Sequence, residues 1–121
     1  MKALVDANGL MAPAQQGVDV LEELAALGYN EPVVPSAVLD ELNALKTKVK
    51  GADRAALAVA LELARRCEAV EAPGPADDAL LRLARELNAP VLTNDAALRR
   101  RLKAAGLKAI FVRGRQKLAI E

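Results

Sequence analysis

Pro90-Val91-Leu92-Thr93-Asn94-Asp95-Ala96-Ala97-Leu98 sets a short apolar strand against the first turn of a helix, with an aspartate at the junction. Apolar residues before Thr93 read as a buried strand from Pro90 to Thr93, and Leu98 and Leu102 continue as one face of a helix from Asp95 to Ala105. Upstream, Leu80, Leu83, Ala84 and Leu87 mark the core face of a helix over Asp77–Leu87. Downstream, Gly106 ends the second helix and Ala109–Val112 reads as another strand. Helix and strand alternating at this spacing predict parallel strands covered on both faces.

The same alternation extends to the start of the chain. Lys2–Asp6 reads as the first strand, Ala7–Gln16 as a loop containing Gly9 and Pro13, and Val18–Leu27 as a helix. Pro32–Pro35 reads as a short strand, with Ser36 as N-cap of a helix to about Lys46. A long helix is expected over Asp53–Cys67 and a strand over Ala69–Ala72, before Pro73-Gly74-Pro75 forces a loop. The 121 residues suffice for one domain, 1–121, with 113–121 as a basic C-terminal extension that either joins the sheet or trails off.

Composition removes several kinds of chemistry. There is no histidine, so histidine-dependent triads and histidine-dependent RNA cleavage are excluded. A single cysteine, Cys67, allows neither an internal disulfide nor a thiolate zinc cage. No glycine-rich phosphate loop follows the first strand. No apolar run is long enough to span a bilayer, so no membrane partner and a cytoplasmic location are expected.

The acids recur where strands end or helices begin. Asp6 closes Ala3-Leu4-Val5, and Asp95 closes Val91-Leu92-Thr93-Asn94. In open parallel sheets the ligand crevice lies at those carboxyl ends. At about 100° per residue, Val38, Leu39, Leu42 and Leu45 form an apolar stripe with Glu41 on its shoulder and Asp40 turned away. The same construction puts Asp77 beside the core face of its helix and Asp78 with Arg82 and Arg85 on the wet side. Each acid also has a plainer role: a turn cap at Asp6 aided by Asn8, helix caps at Asp77, Asp78 and Asp95, or a surface glutamate at Glu41. Four carboxylates in one pocket repel one another and call for protons or cations.

Charge is divided along the chain. Residues 1–95 carry nine Lys and Arg against fifteen Asp and Glu, a net of −6, whereas residues 96–121 carry eight against one, a net of +7. An acidic body with a basic end suits metal binding beside a phosphate-binding surface. Arg99, Arg100, Arg101, Lys103, Lys108, Arg113, Arg115 and Lys117 are the residues available for phosphate contacts. Tyr29 and Phe111 are the only aromatics, so recognition of nucleic acid would lean on phosphates and shape.

In this order the motifs resemble those of the PIN domain nucleases, over nearly the whole chain. Leu4-Val5-Asp6-Ala7-Asn8 is similar to the family's first motif, Val34-Pro35-Ser36 through Glu41-Leu42 to its second, and Asp77 with its helix to its third. Val91-Leu92-Thr93-Asn94-Asp95 is the most specific match. The resemblance implies a three-layer α/β/α sandwich around a central parallel sheet of about five strands. It implies that Asp6, Glu41, Asp77 and Asp95 hold Mg²⁺ or Mn²⁺, with Asn8, Thr93 and Asn94 shaping the site. The implied activity is hydrolysis of single-stranded RNA by an endoribonuclease.

Gly17-Val18-Asp19-Val20 and Phe111-Val112-Arg113-Gly114-Arg115 look more like archaeal relatives of ribosomal RNA processing nucleases than like VapC-type toxins. The partners implied are RNA, a second copy of the chain, and either a ribosome-assembly protein or an antitoxin. The rival expectations are a non-catalytic RNA-binding or ribosome-assembly module, and a toxin ribonuclease.

Overall fold

The computed structural model describes residues 1–114 and 117–121. In chain order the elements are β1 (Lys2–Val5), α1 (Ala7–Gln16), α2 (Val20–Ala26), β2 (Glu31–Pro35), α3 (Ser36–Leu45), α4 (Ala52–Arg65), β3 (Glu68–Val70), α5 (Ala76–Leu87), β4 (Val91–Leu92), α6 (Ala96–Ala104), β5 (Ala109–Val112) and β6 (Leu118–Ile120). They build one sheet in the order β3-β2-β1-β4-β5-β6. The first five strands run parallel, and β6 pairs antiparallel with β5.

The chain begins in the middle of this sheet. β1 is followed outward by β2 and β3, and α5 then carries the chain back to the other side of β1, where β4, β5 and β6 follow. Strand order therefore reverses between β1 and β4, where a parallel sheet opens its ligand crevice. Successive residues Ala3, Leu4 and Val5 are all inaccessible to solvent, so β1 is covered on both faces and reads as an unbroken apolar run. α5 packs on β1 and β2, α6 on β5, and α2 touches both β2 and β6. α1 packs chiefly against α4.

Three expectations change. Ala7–Gln16 is a helix, not a loop: Asp6 caps its start, Leu10, Met11 and Ala12 bury, and Gly17 ends it in the left-handed conformation at φ 69°. Pro13 sits inside that helix, tolerated because the packed apolar face outweighs one missing N–H. Ser36 is not an N-cap; Pro35 holds that position and the Ser36 hydroxyl is used elsewhere. The third strand is Glu68–Val70 rather than Ala69–Ala72, because the Ala72 amide and carbonyl are both committed to the start of α3.

The basic extension folds back as β6, with the Arg113 N–H donating to the Lys117 carbonyl at 2.9 Å to close the hairpin. Arg115 lies outside the described residues. Among the described residues no helix is long and apolar enough to cross a membrane.

Candidate active site

At the reversal of strand order, the Leu4 N–H donates to the Pro90 carbonyl and the Asp6 N–H to the Leu92 carbonyl, at 2.9 and 3.2 Å. These bonds bring Asp6 level with Thr93. The Asp6 carboxylate is only 6% exposed, and its Oδ1 accepts the Gly9 N–H at 2.6 Å. Gly9 matters for its missing side chain. A Cβ there would stand 3.0 Å from both Leu92 Cδ2 and Val5 Cγ1, closer than carbon atoms pack, so glycine lets α1 settle onto the strand ends.

After β4 the chain is tied on both sides. Buried Thr93 donates its N–H to the Ile110 carbonyl at 2.8 Å and accepts the Asp95 N–H on its hydroxyl at 3.1 Å. Asn94 is exposed, and its side-chain oxygen accepts the Val112 N–H at 2.8 Å, pinning the loop to β5. Asp95 caps α6 through a single oxygen, Oδ1, which accepts from Ala97 at 2.8 Å and Leu98 at 3.1 Å. Asn8 is exposed on the first turn of α1.

Glu41 and Asp77 come from two helices joined at their starts. The Ala72 N–H donates to the Ser36 hydroxyl at 2.9 Å, and the Ala37 N–H donates to the Ala72 carbonyl at 3.2 Å. This clamp holds the loop that leads into α5 against the first turn of α3. Asp77 is half-buried and Asp78 exposed, as helical geometry predicts; Glu41 and Asp40 are both open to solvent.

Electrostatics links the four acids in one region. Burial pushes the Asp6 carboxyl up to about 6, the negative charges of Asp77 and Glu41 add to the rise, and the Thr93 side chain and the Gly9 N–H oppose it. Glu41 is raised by partial burial and by Asp77. Asp77 is raised by partial burial, by Asp95 and by Asp78, with Arg101 working against them. Among the described residues no group of three acids comes close enough to hold a metal ion by itself, so the acids whose charges reach buried Asp6 stand as an open rim.

The basic residues divide into four groups. Arg101 donates to Asp78 Oδ1 at 2.7 Å and stands near enough to Asp77 to be felt by it. Arg99 is held by Glu121 at 2.8 Å and lies 3.9 Å over the Phe111 ring, so much of its hydrogen-bonding capacity is already used. Arg100, Lys103, Arg113 and Lys117 are exposed, with Arg113 just beyond the carboxyl end of β5. Lys108 precedes β5 and stands at the opposite end of the sheet from the acids, which removes it from their mouth.

The family model for the PIN like domain matches residues 3–115, almost the full length. The chain belongs to that family. A curated relative of the PIN-like chain, Ribonuclease VapC9 of Archaeoglobus fulgidus, is 28% identical over 119 residues, covering 98% of this chain and 88% of the relative. Among solved structures, the PIN domain endonuclease Utp24 superposes with a TM-score of 0.77 at 24% identity, covering 99% of this chain and 90% of the other. VapBC2 from Rickettsia felis, solved with a DNA fragment from its promoter, gives 0.61 at 19% identity over 83% of this chain and 92% of that one. These likenesses at low identity establish the fold.

Three contributors to the PIN-like site escape a reading of the sequence. Gly9 reads there as a loop residue, although a glycine three residues after a capping aspartate is a legible sign of close helix packing. Ser36 reads as a local cap, and its partner lies 36 residues away. Asp78 falls on the wet side of its helix, yet it is what holds Arg101 at the rim. No local pattern announces the last two.

Proposed function

We propose that this PIN-like domain is a metal-dependent endoribonuclease acting on single-stranded RNA. One observation carries the reading: a buried aspartate at the strand-order reversal, its acidity suppressed by burial and by the two acids that face it. The donor set fits a hard divalent cation. All candidate ligands are carboxylates, no histidine exists, and the one cysteine lies beyond α4. An open rim suits Mg²⁺ or Mn²⁺ better than a closed cage, since Mg²⁺ binds through one or two carboxylates and leaves room for phosphate oxygens.

Asp6, Glu41, Asp77 and Asp95 would hold the ion. Bound there, it would lower the pKa of a water and offset charge on the scissile phosphate. Asp6 is the fixed member, oriented by Gly9 and Thr93 and kept from bulk water. Asp95 has one oxygen, Oδ1, engaged by α6. Thr93 and Asn94 hold the loop carrying Asp95, with Asn8 at the edge of the mouth. Arg101, steadied by Asp78, and Arg113 and Lys117 of the hairpin are the cations best placed to meet the RNA backbone there. The basic residues supply affinity and the acids the chemistry.

A toxin role is the second reading, favoured by the relative named Ribonuclease VapC9. The superposition on the PIN domain endonuclease Utp24 speaks for fold alone. An antitoxin-sized reading frame beside the gene would favour the toxin. Labelled single-stranded RNA incubated with Mn²⁺, Mg²⁺ or EDTA tests the main reading. Cleavage with either ion and none in EDTA is expected. Tight RNA binding without cleavage in any condition would point to a binding module.

A further inference from the structure

Two shallow recesses run end to end along α6. The first, about 300 Å³, is lined by Ala96, Arg99, Arg100, Lys103 and Glu121. The second, about 260 Å³, is lined by Arg99, Lys103, Leu107, Lys108, Ala109 and Glu121. Arg99, Lys103 and Glu121 line both, so the two form one trough. It starts in the first turn of the helix that Asp95 caps and ends where β5 begins. From Asp95 to Lys103 the helix rises about 12 Å.

The lining has a specific chemistry. Arg100, Lys103 and Lys108 are exposed, and none of them enters an ion pair among the described residues. Glu121, the one acid in the trough, is already engaged by Arg99, whose guanidinium is also stacked on Phe111. Its charge is therefore largely answered before any ligand arrives. Leu107 and Ala109 give the far recess an apolar floor. A ribbon of spaced cations beside apolar surface matches a strand of spaced phosphates carrying sugars and bases.

We propose that this trough is a second nucleic-acid subsite, holding the flank of a single-stranded RNA whose scissile phosphate lies at the acids. The inference rests on the ribonuclease reading above and extends it: the enzyme grips its substrate along α6 as well as at the cut. Lys108, too remote for the acidic mouth, is the outer end of that grip. A substrate long enough to fill the trough binds more tightly than one that covers the acids alone.

The test compares a fluorescent tetranucleotide with a dodecanucleotide by anisotropy in EDTA over a salt series, alongside cleavage of both by the wild type in Mn²⁺. The variant combines Arg100→Ala, Lys103→Ala and Lys108→Ala; the control combines Lys46→Ala, Lys48→Ala and Lys50→Ala. All six side chains are exposed, and thermal melts check that both variants fold. For the trough variant the dodecanucleotide should bind roughly tenfold more weakly at low salt, with the salt slope reduced by about 2, near 0.7 for each phosphate no longer neutralised. Its advantage over the tetranucleotide should disappear, and the control should keep both.

Equal weakening in the control, an unchanged length advantage in the trough variant, or trough-dependent binding of an acidic peptide without RNA binding would overturn the subsite. Wild-type cleavage in the same samples would leave the ribonuclease reading standing. A wild type that neither binds nor cuts RNA would end both.

Discussion

The two ends of the sheet are built from the same strands and treat charge in opposite ways. At the amino ends, Met1, Lys2, Tyr29, Pro90 and Lys108 are among the residues around the larger cavity, about 460 Å³. Two of the charges near it are answered, Lys2 by Glu68 at 2.9 Å and the Met1 amine by Glu31 at 3.6 Å, and only Lys108 is left without an ion pair among the described residues. At the carboxyl ends like charges stand together: Asp77 and Glu41 push up the pKa of Asp6, Asp77 that of Glu41, and Asp95 and Asp78 that of Asp77, with only Arg101 working against them at Asp77. Unrelieved repulsion sets the carboxyl end apart, and the proposed site lies there.

The sharpest way to break this contrast is Asp6→Asn. Cleavage should fall by more than about a hundredfold, the scale on which metal sites respond to loss of their supporting groups, read from initial rates on labelled RNA. Stability should move the other way. The folded-state pKa of Asp6, about 6, lies above its ordinary 3.8. The carboxyl therefore costs the metal-free fold almost nothing below its ordinary pKa, progressively more as pH rises from there to about 6, and a nearly constant amount above that. At pH 7 the penalty approaches about 3 kcal/mol. Urea melts in EDTA should find Asp6→Asn more stable than wild type at pH 7 and equal to it near pH 3.5. Added Mn²⁺ should stabilise wild type only.

Gly9→Ala tests whether close packing holds the acid in place. The new methyl must displace Leu92 or Val5, and a loss of about 1–3 kcal/mol is expected in chemical denaturation, with slower cleavage because the Asp6 cap shifts. Ser36→Ala removes the hydroxyl that receives the Ala72 N–H and should cost about 1 kcal/mol, with a moderate loss of rate if the clamp sets the distance between Glu41 and Asp77. Lys2→Ala sharpens the comparison from the other end: the pair with Glu68 is exposed, so neither the melting profile nor cleavage should change measurably.

Much of this arrangement is legible in residue order. β1, β4 and β5 follow from short apolar runs, and the separation of Asp77 from Asp78 follows from helical geometry on α5. α1 reads as a loop because Gly9 and Pro13 are local breakers, and the features that overrule them are a capping aspartate and burial against α4. The Ser36–Ala72 clamp and the Asp78–Arg101 pair join residues that no periodicity connects. Side-chain partners chosen by folding at long range leave no trace in local pattern. The C-terminal segment is open in the sequence for the same reason, since a three-residue strand is settled by its pairing with β5.

The central seam, where Leu4 aligns with Val91 and Val5 with Leu92, has a consequence for the chain during its synthesis. A ribosome delivers Asp6 and Glu41 early and Asp95 late, and β1 has no neighbour on one side until β4 has left the exit tunnel. The acids therefore meet only once β4 has closed the seam. A chain interrupted before β4 carries Asp6 and Glu41 without the strand that aligns them with Asp95.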